Sequence, residues 1–325
     1  MKKTALVTTV VLILLSYKAN SQAITEVFAD FHYYINDTLH SDNNGFGLTR
    51  AYLGYNYHPE GEFSGTLILN VCSPSDLAEG SKERRYAYFR EASVTWTKDD
   101  LSMSFGMTTT RSLSFQQKFY GKRYVADNFE AINGYSTVAD LGFTADYVIN
   151  DFLKVDFTFM NGEGYNNLHI DNSIKSSFGV NIIPFEKGIM RLYADFDRPG
   201  GTWQQLYIGF IGYKSDLIMI GGEAAFKTNI DGTDSHDSWG FSSTGSIRVA
   251  DKTEIFGRYD YTISNEISGE SLPWNYMKDR QFFIAGAQYT FNDNFKLALD
   301  YQGNYPISGR VPPTRSVFLN TFFKF

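Results

Sequence analysis

Apolar and polar residues alternate one for one along most of this chain. In 152–160, Leu153, Val155, Phe157 and Phe159 are separated by Lys154, Asp156 and Thr158. In 101–108, Leu101, Met103, Phe105 and Met107 are separated by Ser102, Ser104 and Gly106. The segment 139–149 sets Ala139, Leu141, Phe143, Ala145, Tyr147 and Ile149 against Asp140, Gly142, Thr144, Asp146 and Val148. A period of two puts each set on its own face of a β-strand, whereas a helix would bring apolar residues back every third or fourth position. On this basis strands are predicted over 24–34, 45–57, 62–72, 85–97, 101–109, 136–149, 152–161, 174–184, 189–197, 205–213, 217–227, 238–249, 253–263, 280–291, 295–305 and 314–325. Most are close to the roughly 9–11 residues that a tilted strand needs to cross a bilayer.

The connections alternate strictly in length. Short polar turns fall at 58–61, 98–100, 150–151, 185–188, 214–216, 250–252 and 292–294. Longer polar segments fall at 35–44, 73–84, 110–135, 162–173, 198–204, 228–237, 264–279 and 306–313. Short turns on one side and long loops on the other are the layout of a membrane barrel. The expectation is an all-β, transmembrane antiparallel up-and-down β-barrel of sixteen strands, with 14 or 18 as the alternative counts. Both termini then lie at the short-turn, periplasmic end. A soluble sandwich would bury its apolar faces in a core and would not need a second, polar face on every strand.

Composition fits this reading. Aromatic residues make up 17% of the chain, with 22 Tyr and 28 Phe, yet mean hydropathy is only −0.27. Alternating lipid-facing and lumen-facing positions average to near neutrality, and rings gather at membrane interfaces. The N-terminus reads as a secretory signal: Lys2 and Lys3, then apolar 5–15, then the small residues of Ala19-Asn20-Ser21. Cleavage is expected after Ser21, leaving 22–325 as a single barrel domain. The apolar stretch falls short of the roughly 20 residues of a spanning helix. Loss of 1–21 removes Lys2, Lys3 and Lys18, so 29 basic residues become 26 against 36 acidic ones and the formal charge moves from −7 to −10. That balance argues against a nucleic-acid partner. Cys72 is the one cysteine, which rules out an intrachain disulfide; it is expected buried at a strand end.

A barrel of sixteen strands leaves an aqueous channel unless something narrows it. The candidate is the longest connection, 110–135, which is third in order. It carries Arg111, Lys118, Lys122 and Arg123 against Asp127 and Glu130, with Phe115, Phe119, Tyr120, Tyr124 and Phe129 available to anchor it to an inner wall. Arg111, Gln116, Gln117, Lys118, Lys122 and Arg123 are the candidate constriction residues, the cations drawing anions to the narrowest point. Strand parity places Arg50, Glu91, Asp140, Asp156, Arg191, Asp195, Arg258 and Asp260 inward as candidate pore lining. The inward set as a whole is mixed in sign and slightly acidic.

The final strand carries Val317, Leu319, Phe323 and Phe325 on one face, broken by Thr321, and the chain ends on Phe325. It resembles the terminal strand of bacterial outer-membrane proteins, in which it serves as the assembly signal. More broadly, the chain resembles a bacterial outer-membrane porin of the phosphate-selective porin O and P family, Bacteroidetes type. The residues that carry the likeness are Arg90-Glu91-Ala92-Ser93-Val94 leading into a strand, Leu101 to Gly106 as the return strand, and Asp140-Leu141-Gly142 after the long third loop. The mature chain is shorter than that group would suggest, which implies trimmed loops. The resemblance implies passive diffusion of small hydrophilic solutes or ions, with anions and phosphate favoured. It also implies a Gram-negative outer membrane, contact with its lipids and assembly machinery, and a homotrimer. The alternative is a non-conducting barrel with a structural, adhesion or secretion-assembly role.

No catalytic site is expected. Asp234-Ser235-His236-Asp237 places the residue types of a hydrolytic triad next to one another, but a triad needs side chains positioned by separate elements. Asp231, Asp234 and Asp237 do not match a calcium-loop spacing. No cofactor and no metal are expected, because the chain lacks phosphate-cradling glycine motifs and Cys/His clusters. Asp37-Thr38-Leu39 resembles the short acceptor of Bacteroidetes O-glycosylation, with Thr38 as the acceptor.

Overall fold

The computed structural model describes residues 20–35, 44–72 and 86–325. The expectations on 1–19, on Asp37-Thr38-Leu39 and on the connection 73–84 lie outside these residues. The strands are β1 (Asn20–Tyr34), β2 (Gly45–His58), β3 (Phe63–Cys72), β4 (Tyr86–Lys98), β5 (Leu101–Thr109), β6 (Ala139–Val148), β7 (Leu153–Met160) and β8 (Lys175–Phe185). They continue as β9 (Gly188–Asp197), β10 (Gln204–Lys214), β11 (Ile218–Thr228), β12 (Ser238–Ala250), β13 (Thr253–Ser264), β14 (Arg280–Asn292), β15 (Phe295–Pro306) and β16 (Thr314–Lys324). Every strand pairs antiparallel with its sequence neighbour, and β1 also pairs with β16, so the sheet closes. The sixteen-strand expectation holds, and the counts of 14 and 18 fall away. Closure leaves no strand edge with unpaired backbone groups. β1 begins two residues before the expected mature start at Gln22, with Asn20 opposite His58.

The outer surface is the apolar set of the alternation. Leu192, Ile211, Ile220, Phe226, Ile255 and Leu299 are all exposed there. The inner surface is not uniform. On β4, β5 and β6 it is small and polar: Ser93, Thr95, Ser102, Ser104 and Asp146. On β9 to β11 it carries a buried apolar patch, Tyr193, Leu206, Ile208, Phe210, Met219 and Ala225, beside charged residues such as Arg191 and Asp195. β10 therefore carries apolar residues on both faces, and its sequence reads as an almost unbroken apolar run. A strand covered on both sides reads that way. Something must lie against its inner face, and that is the connection between β5 and β6.

One bulge changes the inner wall of β4. Ile68 of β3 pairs with Glu91 and Leu69 pairs with Phe89, so Arg90 is an extra residue in β4. A bulge re-aims side chains locally. Here it turns both Arg90 and Glu91 inward, where strict alternation allows only Glu91. Cys72, expected buried, is half-buried at the end of β3.

Candidate pore constriction

The connection from β5 to β6 is a folded unit inside the barrel. Its ends are adjacent, because the Thr110 amide donates to the Val138 carbonyl at 3.1 Å. It contains two helices, α1 (Arg111–Tyr120) and α2 (Phe129–Ile132), where the sequence pattern predicts only a loop. In α1, Ser112, Leu113, Gln116, Phe119 and Tyr120 form the buried face at spacings of three and four. The helix ends at Gly121, which adopts φ +67° and returns its amide to the Gln117 carbonyl at 3.0 Å.

Three apolar anchors hold the unit to the wall. Phe119 and Tyr120 pack with Phe210 and Met219. Phe129 and Tyr135 pack with Tyr193, Leu206, Ile208 and Ala225. Tyr124 and Val125 join Phe28, Tyr52, Ile68, Phe256, Phe282, Ile284 and Ala298. The first two anchors use the β9–β11 sector; the third uses β1–β3 and β13–β15. The unit therefore crosses the lumen instead of following one wall. Phe119 sits in a slot made by Gly212 and Gly221, which face each other across β10 and β11. A Cβ on either glycine would come within 2.5 or 2.8 Å of its ring. Burying a large apolar side chain is worth roughly 1.5–3 kcal/mol, so the anchors together hold the unit to the wall.

Most of the inward arginines are bonded to this unit. Arg191, 1% exposed, is held by both oxygens of Asp156 at 2.6 and 3.0 Å and donates to the Arg111 carbonyl at 2.7 Å. Arg258 is held by Asp260 at 2.8 and 2.6 Å and donates to the Asp127 carbonyl at 2.5 Å. Arg50 donates to the Asp127 carboxylate at 2.5 Å. Arg280 donates to the Ile132 carbonyl at 3.2 Å and Asn133 Oδ1 at 3.0 Å, and Lys214 to the Phe119 carbonyl at 2.8 Å. Helix ends and irregular backbone leave carbonyls without partners, and these cations supply them. Asp140 instead accepts from the Gly162 and Leu141 amides, both at 2.7 Å, and Asp195 from the Tyr193 hydroxyl at 3.0 Å. Arg191, Arg258, Asp140, Asp156, Asp195 and Asp260 thus face inward but are buried, engaged with protein groups and closed to a passing solute.

The candidate constriction residues separate into two groups. Gln116 is 3% exposed and turned to the wall, so it does not border an opening. Lys122, 4% exposed, lies against Glu254 at 2.7 Å. Burial lowers its pKa, with Glu254 opposing. Arg123 is buried and reaches Asp127 at 3.1 Å, leaving both terminal guanidinium nitrogens unpartnered. Burial raises the Asp127 carboxyl, but Arg50 and Arg123 outweigh it and hold the group below its usual range. Burial also holds the Glu130 carboxyl of α2 above its usual range.

Arg111, Ser114 and Lys118 share the other face of α1, with Gln117 beside them, and all four remain at least partly open. Arg111 stands at the helix N-terminus, the unfavourable end for a cation. Asp146 of β6 compensates it with two bonds of 2.8 and 2.6 Å. Glu91 is 3.6 Å from the bulged Arg90. The Tyr52 ring lies between Arg90, 4.9 Å from its centroid, and Arg123, 5.7 Å from it. Arg90, Tyr52, Lys214 and Arg280 are not among the sequence candidates. The sequence pattern puts Lys214 in a turn. For Arg90 the parity rule fails at the bulge.

Cavities lie on both sides of the unit. Toward the short turns is one of about 220 Å³, lined by Lys122, Lys214, Arg248 and Lys296 with Asp216 and Glu254. Toward the long loops is one of about 370 Å³, which includes Glu163, Asp171, Lys175, Asp197, Lys227 and Asp231.

Solved structures share the closed antiparallel barrel. OmpF of Salmonella typhi, solved with daunomycin, matches over 94% of this chain and 97% of its own, with a TM-score of 0.68 and 11% identity. The anion-selective porin of Comamonas acidovorans matches over 95% and 100%, with a TM-score of 0.67 and 10% identity. The fold is that of the outer-membrane porins. A trimer form of OmpT, an outer membrane protein of Vibrio cholerae, matches over 94% and 99%, with a TM-score of 0.60 and 14% identity. No family model and no curated protein sequence matches the chain.

The remaining polar segment singled out in the sequence, 234–237, is structural. The His236 ring stacks on Trp274 with centroids 4.4 Å apart, and Asp237 accepts the Asn229 amide at 3.0 Å.

Proposed function

We propose that this chain is a porin of a Gram-negative outer membrane, a water-filled channel for small hydrophilic solutes and ions that is narrowed by the unit between β5 and β6. The observation that carries the reading is the asymmetry around that unit. Against β9–β11 the interior is packed by the buried Tyr193, Leu206, Ile208, Phe210, Met219 and Ala225, whereas on β4–β6 the inward Glu91, Ser93, Thr95, Ser102, Ser104 and Asp146 keep solvent access. The path runs between that wall and the Arg111–Lys118 face of α1. The apolar outer surface suits a bilayer, where a closed barrel satisfies every backbone group internally. In this reading 1–21 is the cleaved signal, the short turns and both termini are periplasmic, and Phe325 addresses the outer-membrane assembly machinery.

A preference for anions rests on three features. Arg50, Arg90 and Arg123 gather around Tyr52 with Asp127 and Glu91, a net positive group in which three buried nitrogens, Arg90 Nε and both terminal nitrogens of Arg123, lack partners. Lys118 faces the path, and no acidic partner pairs with it among the described residues. The 220 Å³ cavity beyond carries four cations against two carboxylates. A homotrimer is supported by the outer face of β8–β12, where the small residues Ala194, Gly209 and Ala224 floor an apolar groove of about 650 Å³.

A specific observation favours the alternative, a barrel that does not conduct: the unit is bonded both to β2, through Arg50, and to β15, where Gln302 donates to the Val125 carbonyl at 3.2 Å. Liposome swelling separates the two. Vesicles holding the purified protein should swell in small sugars and progressively less in larger ones. Swelling no faster than that of protein-free vesicles in the smallest sugar would leave the non-conducting barrel.

A further inference from the structure

The sequence shows no metal-type cluster, yet the connection between β7 and β8 assembles one. Glu163, His169 and Asp171 bring an imidazole nitrogen and two carboxylate oxygens to within 4.8 Å of one another. The loop is held in this shape from several sides. The Tyr165 amide donates to the Ala139 carbonyl at 2.9 Å, and Asn70 donates to the Tyr165 hydroxyl at 2.9 Å. Asn167 donates to the Glu163 carbonyl at 2.7 Å, and the Arg198 amide to Ser173 Oγ at 2.7 Å. Leu168 and Ile170 are 82% and 85% exposed, so His169 between them turns back toward Glu163.

A second observation concerns the Glu163 carboxylate itself. Its Oε1 accepts from His169 Nδ1 at 2.8 Å, while its Oε2 is buried from solvent and has no partner. An unpaired buried carboxylate oxygen costs about 1–3 kcal/mol or more. An ion pair with His169 uses only one oxygen and leaves that cost in place. Asp171 uses Oδ1 to accept the Ser173 amide at 2.6 Å, which fixes the carboxylate's direction.

We propose that Glu163, His169 and Asp171 form a binding site for a divalent transition-metal ion, zinc being the ion of this class that the donor set fits. One imidazole and two carboxylates are three protein ligands of the kind found in open zinc sites, with water at the fourth position. Zn–N and Zn–O bonds of roughly 2.0–2.2 Å place tetrahedral ligand atoms about 3.3 Å apart. The 2.8 Å contact of His169 with Glu163 widens slightly toward that spacing, and the separations that reach up to 4.8 Å close toward it. Calcium is disfavoured, because it takes six to eight oxygen ligands and no imidazole. Glu163 and Asp171 also line the 370 Å³ cavity beside Lys175, Asp197, Lys227 and Asp231. A bound ion adds two positive charges at the long-loop side of that cavity.

The test is isothermal titration of the full-length barrel in detergent with zinc chloride. One zinc ion per barrel is expected. Losing even a group that supports a ligand costs roughly 10–100-fold in affinity, so H169A and E163Q should each weaken zinc by at least about tenfold. H236A, whose imidazole stacks on Trp274 elsewhere, should bind as the parent does. Heat-modifiable gel mobility identifies folded barrels, so only folded variants are compared. No saturable heat in the parent, or equal affinity in the parent, H169A and E163Q, would overturn the site. The outcome is independent of whether the barrel conducts.

Discussion

Removing the unit that fills the lumen should raise single-channel conductance several-fold. The excision is geometrically simple. Thr110 and Val138 are already hydrogen-bonded, and Thr109 pairs with Ala139, so an Asn-Gly hairpin can replace the residues between them. What is lost is the mass that crosses from the β9–β11 wall to the β1–β3 and β13–β15 walls. A sixteen-stranded barrel without it leaves a wide aqueous channel. The same excision uncovers Leu206, Ile208 and Phe210, each worth roughly 1.5–3 kcal/mol when buried. The excised barrel should therefore melt at a lower temperature, and polar replacements at those three positions should offset part of that loss. Conductance equal to that of the parent would mean that this unit does not limit the flow.

Reversing the open face of α1 should give the second largest effect. The variant is R111E/K118E, which changes the local charge by four units. Both residues stand on the open face of α1, and Asp146 of β6, normally bound by Arg111, is left unneutralised. In a narrow passage these charges lie within the roughly 8–10 Å Debye length of physiological salt, so their fields reach the permeating ion. Reversal potential in a salt gradient should move toward cations, and by more than for K98E at the exposed short-turn rim. K118E alone should give part of the shift. Lys122 and Arg123 are the wrong positions for this test. Lys122 is paired with Glu254 and Arg123 lies over Tyr52, so reversing either one disturbs packing before it reports on a solute. An unchanged reversal potential in R111E/K118E would place the ion path elsewhere in the barrel.

The strands are legible in the sequence because alternation is a local property. Leu153 to Phe159 announces its two faces without reference to any other segment, and the short and long connections lie between such runs. The docking wall is legible too, in the unbroken apolar run of β10, since an inner face of Leu206, Ile208 and Phe210 requires cover. The helix α1 is hidden by its length. Its buried positions repeat over little more than two turns, among residues equally suited to a polar loop. Arg90 is hidden for a different reason: a bulge shifts parity by one residue and leaves no mark in the sequence. Parity turns Arg191 and Arg258 inward correctly, but direction alone does not say what fills the space they face. They bind loop carbonyls, because irregular backbone inside a barrel must find donors. The group at Glu163, His169 and Asp171 depends on the fold of one loop, held by partners as distant in sequence as Asn70 and Arg198.

The proposed channel requires an interior that is narrowed and not sealed. Recording current through the purified protein in a planar lipid bilayer distinguishes the two states. Discrete, long-lived current steps are expected at low voltage, smaller than those of the barrel lacking the unit between Thr110 and Val138. A parent protein that inserts as folded barrels yet passes no current at any voltage, beside an excised variant that does, would contradict the open channel and make the unit a plug.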